Sequence, residues 1–184
     1  MAGIVRADTF RMNTIKSQDS DVTAMTIDAS GRVLKPNQIH FHVRPTTSIS
    51  LTEGNDHQTI IMGTAVRNIG NAYSTTTGIF TAPIAGVYLF AANIRYDSAA
   101  SGGYIRTMII NAGTGAPDTT PWNDYNDTFS AINGSGHSTN YETISCTAIM
   151  YCNANDKVYL QGGHNNDSAV TAHLESTYSG VLIA

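Results

Sequence analysis

The sequence predicts an all-β protein, and three observations carry that expectation. No window of a dozen residues places apolar side chains at i, i+3, i+4 and i+7 behind a capping residue, so no amphipathic helix is written into the chain. Short runs with an apolar residue at every second position recur instead, separated by clusters of Gly, Asn, Asp, Ser and Pro. Charged residues make up only 13% of the 184, against about 25% in an average soluble protein, while hydrophobic residues reach 41%. A polar but weakly charged surface of this kind suits extracellular or particle-surface proteins.

An arm comes first, over residues 1–37. Residues 24–28 (AMTID) and 32–34 (RVL) flank Ala29-Ser30-Gly31, a short loop whose glycine can take positive φ, so the stretch reads as a β-hairpin. Residues 1–23 hold few apolar side chains and need a partner to become ordered. Lys35-Pro36-Asn37 then interrupts the ladder, because proline has no N–H to donate, and the boundary with a head domain over 38–184 falls there. Charge divides similarly: residues 1–45 carry +2 and the remainder −6 of the net −4. No clustered basic face appears, so nucleic acid is not an expected partner.

The head strands are expected at 38–44, 58–62, 78–82, 86–96, 104–112, 140–153, 157–162 and 176–184. That is the strand count of a jelly roll or sandwich. Between two of them, TGIFTAPIAGVYLF (77–90) runs through a Pro-Ile-Ala-Gly corner. Two connections, 113–139 and 164–175, are long, and long loops on a rigid β frame are usually either functional or disordered. The last run, STYSGVLIA, is apolar on both faces, with Tyr178, Leu182 and Ala184 opposing Val181 and Ile183. A single core cannot use both, so one face is expected to meet another subunit, with Tyr178, Val181 and Ile183 as interface candidates. The stretch from 86 shows the same excess: Val87, Leu89 and Ala91 oppose Tyr88, Phe90 and Ala92. Cys146 and Cys152 lie on one expected strand, roughly 20 Å apart against the 5.5 Å or so a disulfide needs, and read as buried thiols.

Three spaced motifs resemble the complement globular-head family within the tumour-necrosis-factor-like jelly rolls. They are GNAYSTTTGIFTAPIAGVYLFAANI (70–94), NDKVYLQGG (155–163) and the terminal STYSGVLIA. The matching positions are Tyr73, Thr77, Gly78, Phe80, Gly86, Tyr88, Phe90, Asp156, Val158, Leu160, Ser176, Ser179 and Gly180, in the family's order. The resemblance spans 38–184 and implies a jelly-roll sandwich of about ten strands, assembled as a homotrimer with the terminal-strand sheet toward the threefold axis. The chain lacks the collagen-like Gly-X-Y stalk and the signal peptide of the animal proteins, so complement function is not carried over. A looser resemblance joins VRADTFRMNTI and AMTIDASGRVLKPNQIHFHV to segments preceding such heads in bacteriophage tail and head fibres.

Candidate chemistry is sparse. His40 and His42 share one face of a strand, as in some jelly-roll metalloenzymes, but Arg44 follows where a carboxylate would stand and the next acid is Glu53. A packed or inter-subunit pair is the expected role. INGSGHS (132–138) lacks the strand-turn-helix context of a nucleophilic serine. WNDYND (122–127) offers Asp124 and Asp127 to a loop calcium without glycine or distal glutamate in EF-hand register. Trp122 and Tyr125 in the same loop either fold back on the barrel end or stack on a sugar or a partner. With neither a signal-peptide core in MAGIVRADTF nor a run of membrane-span length, cytoplasmic synthesis without membrane insertion is expected. The resulting expectation is a non-enzymatic, cofactor-free virion protein of a bacteriophage. Its arm would attach to other virion proteins, and its trimeric head would serve particle structure or adhesion to a host-surface glycan or protein. The alternative is a secreted or surface recognition head that binds glycan or protein directly.

Overall fold

The computed structural model describes residues 12–18, 20–52, 58–97, 104–115, 127–133, 141–165 and 169–184, with backbone alone for 127–133. Every regular element among them is a strand. The chain separates into two compact units, 1–38 and 39–184.

In the first unit, β1 (Thr14–Lys16), β2 (Thr23–Ile27) and β3 (Val33–Leu34) form an antiparallel sheet in that order. The expected hairpin is β2–β3. Asp28 turns it: its carboxylate accepts from the N–H groups of Ser30 and Arg32 at 2.9 and 3.0 Å and from Arg32 Nε at 2.7 Å. The Arg32 backbone donor, then its guanidinium, hold the Asp28 carboxyl below the usual carboxylate range. Gly31 completes the turn at φ 78°, where a Cβ would be disfavoured. β1 comes from a stretch too poor in apolar residues to announce a strand. Cross-strand partners share a side, so the registers Ile15↔Met25 and Ile27↔Val33 place four apolar side chains on one face. Ile15, Ile27 and Val33 are exposed there.

The second unit contains β4 (His40–Arg44), β5 (Ile49–Leu51), β6 (Gln58–Thr59), β7 (Thr64–Ile69), β8 (Ile79–Thr81), β9 (Gly86–Asp97), β10 (Ile105–Asn111), β11 (Asp127–Asn133), β12 (Tyr141–Cys152), β13 (Lys157–His164), β14 (Val170–Ala172) and β15 (Thr177–Leu182). The larger sheet is organised on β9. One edge of β9 pairs with β12 from Gly86↔Cys152 to Asp97↔Tyr141. Its other edge is shared by β15 and β14, and the ladder continues from β15 through β4 to β7 and from β14 to β5. The smaller sheet runs β11-β10-β13, with β6 and β8 both on the free edge of β13. Strands β11 and β14 lie inside the stretches expected to be long connections, and β5 and β7 were not foreseen.

Between the sheets lies one core, centred on Phe41, Tyr73, Phe80, Tyr88, Phe90 and Tyr178. Phe41 stacks on Tyr73 at 4.9 Å and meets Tyr178 edge-on at 5.0 Å, while Phe80 packs against Tyr88 and Phe90, both at 5.3 Å. Such pairs add about 0.5–1.5 kcal/mol each beyond their area burial. Two phenols in this core are hydrogen-bonded: Tyr88 donates to the Ile84 carbonyl at 2.9 Å, tying down the Pro83–Ala85 corner, and the Tyr96 hydroxyl lies 2.8 Å from Thr107 Oγ1. Burial pushes the phenols of Tyr73, Tyr96 and Tyr178 well above their ordinary range. The fit is tight at Gly180, where a Cβ would stand 2.7 Å from Phe90 Cδ1 and closer still to the Phe41 ring.

Two expected outcomes follow. Gly180→Ala should lower the denaturant midpoint by an overpacking cost of roughly 1–3 kcal/mol, and an unchanged midpoint would show that the rings yield freely. Cys146 and Cys152 both face the core from β12. The native protein should therefore react slowly with a thiol reagent and show two thiols once unfolded, whereas an intrachain disulfide in the mass spectrum would contradict this strand placement.

Candidate functional site

The face of the larger sheet turned away from the core is the strongest candidate site. On β9, Tyr88, Phe90, Ala92, Ile94 and Tyr96 point inward, so Val87, Leu89, Ala91, Asn93, Arg95 and Asp97 point outward. Register then assembles outward rows across the sheet. Ile149, Leu89, Val181, His40 and Ile69 form one row, and Thr147, Ala91, Ser179, His42 and Arg67 form the next. Tyr151 pairs with Val87, whose carbonyl accepts from the Ile183 N–H at 2.7 Å. The first rows thus present Val87, Leu89, Ile149, Tyr151, Val181 and Ile183. Ile149, Tyr151 and Ile183 are 61%, 57% and 49% exposed, which is unusual for neighbours in one apolar patch.

Polarity rises toward the other end of β9. Arg95 Nε donates to Asp97 Oδ1 at 2.9 Å, and its Nη1 donates to Glu175. The Arg95 guanidinium carbon lies 4.6 Å from the Tyr141 ring centre, and His173 approaches both carboxylates at 3.9 Å. The Arg95 hydrogen bond holds the Glu175 carboxyl below its usual range. The face is therefore graded from apolar to charged, as a surface that specifies one orientation of a partner would be.

His40 and His42 lie on this face, both half-buried. His42 Nδ1 and Ser179 Oγ are hydrogen-bonded at 2.7 Å, and the residue opposite His42 on β7 is Arg67, a cation. Among the described residues no three His, Cys, Asp or Glu side chains converge as metal ligands. Of the interface candidates, Val181 and Ile183 stand on the outward face. Tyr178 does not: it is fully buried between Phe41 and Phe90, on the same side of β15 as Gly180, and cannot touch a partner. Trp122, Asp124 and Tyr125 lie outside the described residues, as do Glu53 and 134–138. Asp127 opens β11 opposite Asn111 instead of belonging to an irregular loop. Tyr141, Ile149 and Tyr151 were not singled out from the sequence, although their alternation with Ile144, Cys146, Ala148, Met150 and Cys152 signals a strand apolar on both sides.

Residues 41–183 match the family profile of the C1q domain. The chain belongs to the C1q domain family. The motif positions from Tyr73 to Gly180 all fall within that match. Among solved structures, the C1q fold of this chain is similar to the globular domain of zebrafish complement 1qA protein, with TM-score 0.55 and 16% identity over 80% of this chain and 98% of that one. It is also similar to Eiger TNF from S. frugiperda, with TM-score 0.58 and 12% identity over 80% and 94% of the two chains. Murine APRIL at pH 5.0 gives TM-score 0.57 and 14% identity over 79% and 99%. At such identities the likeness is one of fold. An uncharacterized protein of Acanthamoeba polyphaga mimivirus is 31% identical over 152 residues, which are 81% of this chain and 58% of that protein's length. The chain thus spans somewhat over half of this viral relative.

Proposed function

We propose that this C1q domain protein is a non-enzymatic structural component of a virion. It acts as a homotrimeric appendage of the tail-fibre, head-fibre or decoration type, made in the host cytoplasm and carried on the particle. The graded outward face of the larger sheet carries this reading, because an exposed apolar patch holding Ile149, Tyr151 and Ile183 is the mark of a surface that meets a partner. Subunits of a trimer would bury the apolar rows against one another, and the Arg95 network would set their register. The relative from a virus of amoebae supports a viral setting. The bacteriophage assignment rests on the likeness of the arm to segments of phage fibres. The arm serves attachment to other virion proteins, and its face of Ile15, Met25, Ile27 and Val33, three of them exposed, is what such a segment would dock. The head serves particle structure or adhesion to a host-surface glycan or protein.

Light scattering tests the assembly. The wild-type chain should run as a trimer at micromolar concentration, and a monomer would end the reading. Val181→Asp should dissociate it, because an unpaired carboxylate desolvated among apolar side chains costs several kcal/mol.

Deleting residues 1–34 tests the division of labour. The strands that bury the head core begin at His40, so a folded trimeric head should remain, while incorporation into particles should be lost. A truncated head that still decorates particles normally would move attachment onto the jelly roll.

A further inference from the structure

We infer that a groove on the outward face of the smaller sheet binds an acidic saccharide, a sugar unit carrying one carboxylate. This deepens the adhesive half of the proposed function and depends on it only for the source of the ligand. The groove is open to solvent on one side and measures about 360 Å3. Its floor is the β8–β13 pair, where Thr81 lies opposite Lys157 and Ile79 opposite Tyr159. Phe80 and Val158 turn into the core, so Thr81, Lys157 and Ile79 stand outward. The turn after β7 makes one rim and the β12–β13 turn the other. Asn71 and Asn155 hold these rims at φ 50° and 73°. Left-handed backbone is uncommon for residues with a Cβ, and two of the three such residues among those described border this groove.

Four polar side chains on the walls are uncommitted. Neither the side-chain amides of Asn71 and Asn155, nor the Thr81 hydroxyl, nor the Lys157 ammonium has a hydrogen-bond or ion-pair partner among the described residues. Among the described residues that line the groove, Lys157 alone is charged. Asp156, beside it in sequence, is buried, with its carboxylate accepting from the Asn153 N–H at 2.7 Å.

This set matches a sugar acid group by group. Amides and hydroxyls both donate and accept, as ring hydroxyls require. Ile79 and Pro83 offer an apolar strip to the C–H face of the ring. The ammonium provides a charge-assisted bond to the carboxylate. A bare anion is a poorer fit, because it would leave the Ile79–Pro83 strip and the acceptor oxygens of the amides unused. The groove's floor lies on the opposite sheet from the candidate assembly face, so burying that face in a trimer would not by itself cover it.

Saturation-transfer NMR on the full chain tests the inference, with glucuronate, glucose and inorganic sulfate as probes. Glucuronate should bind saturably, in the millimolar range. Lys157→Met should weaken it about tenfold, one ion-paired hydrogen bond's worth. Asn155→Gly, which keeps the left-handed turn, should weaken it with little change in melting temperature. Glucose should bind more weakly and ignore Lys157→Met, and sulfate should fail to compete. No transfer to glucuronate, equal binding of glucose, full competition by sulfate, or indifference to both substitutions would each overturn the proposal. Light scattering on the same samples reports assembly independently, so loss of saccharide binding and loss of the trimer are separate results.

Discussion

Phe41 packs against four aromatic rings at once, those of Tyr73, Phe80, Phe90 and Tyr178. It reaches this position because Gly180, opposite it on β15, has no side chain to occupy the space. The contact joins β4, β8, β9 and β15, so the larger sheet and the β8 edge of the smaller one are held by one cluster. Packing of this density leaves little room for adjustment. The Tyr178 hydroxyl shows how far apolar packing prevails, for it is buried with no hydrogen-bond partner among the described residues. The cost of that stranded phenol, about 1–3 kcal/mol, is offset by the rings around it.

Once the inward face is committed to this cluster, the outward face follows from strand geometry. Every second residue of β9, β12 and β15 is forced away from the core, and those positions carry an apolar patch at one end and an ion-pair network at the other. The smaller sheet obeys the same alternation. Lys157 and Thr81 face outward because Val158 and Phe80 face inward, so both the candidate assembly face and the candidate ligand groove are by-products of one core.

Long strands were legible in the sequence because alternation accumulates over length: β9 and β12 run for twelve residues each and were foreseen almost to their ends. Strands β5 and β14, at three residues each, carry too little period to be read locally, and they exist because distant partners pair with them. The placement of Val181 and Ile183 against Tyr178 was legible as two opposite faces, but which face turns inward was not. Gly180 decides it, since only the side bearing a bare Cα can receive Phe41 and Phe90. The groove gave no sequence signal, because Asn71, Thr81 and Lys157 come from separate turns and strands that only the sheet pairing brings together.

The pairing of β15 with β4 sets the order in which the protein can come into being. His42 and Ser179 touch across 137 positions of sequence, and the chain between them forms the rest of the sandwich. A nascent head on the ribosome holds β4 and β9 with the bonds that β15 will fill still open, and loop-closure entropy delays that last insertion further. Closure of the larger sheet therefore comes late and draws on the whole sandwich. Assembly through the outward face, which needs the side chains of β15 in place, would wait for it, and unfinished chains would be kept out of the assembly pool.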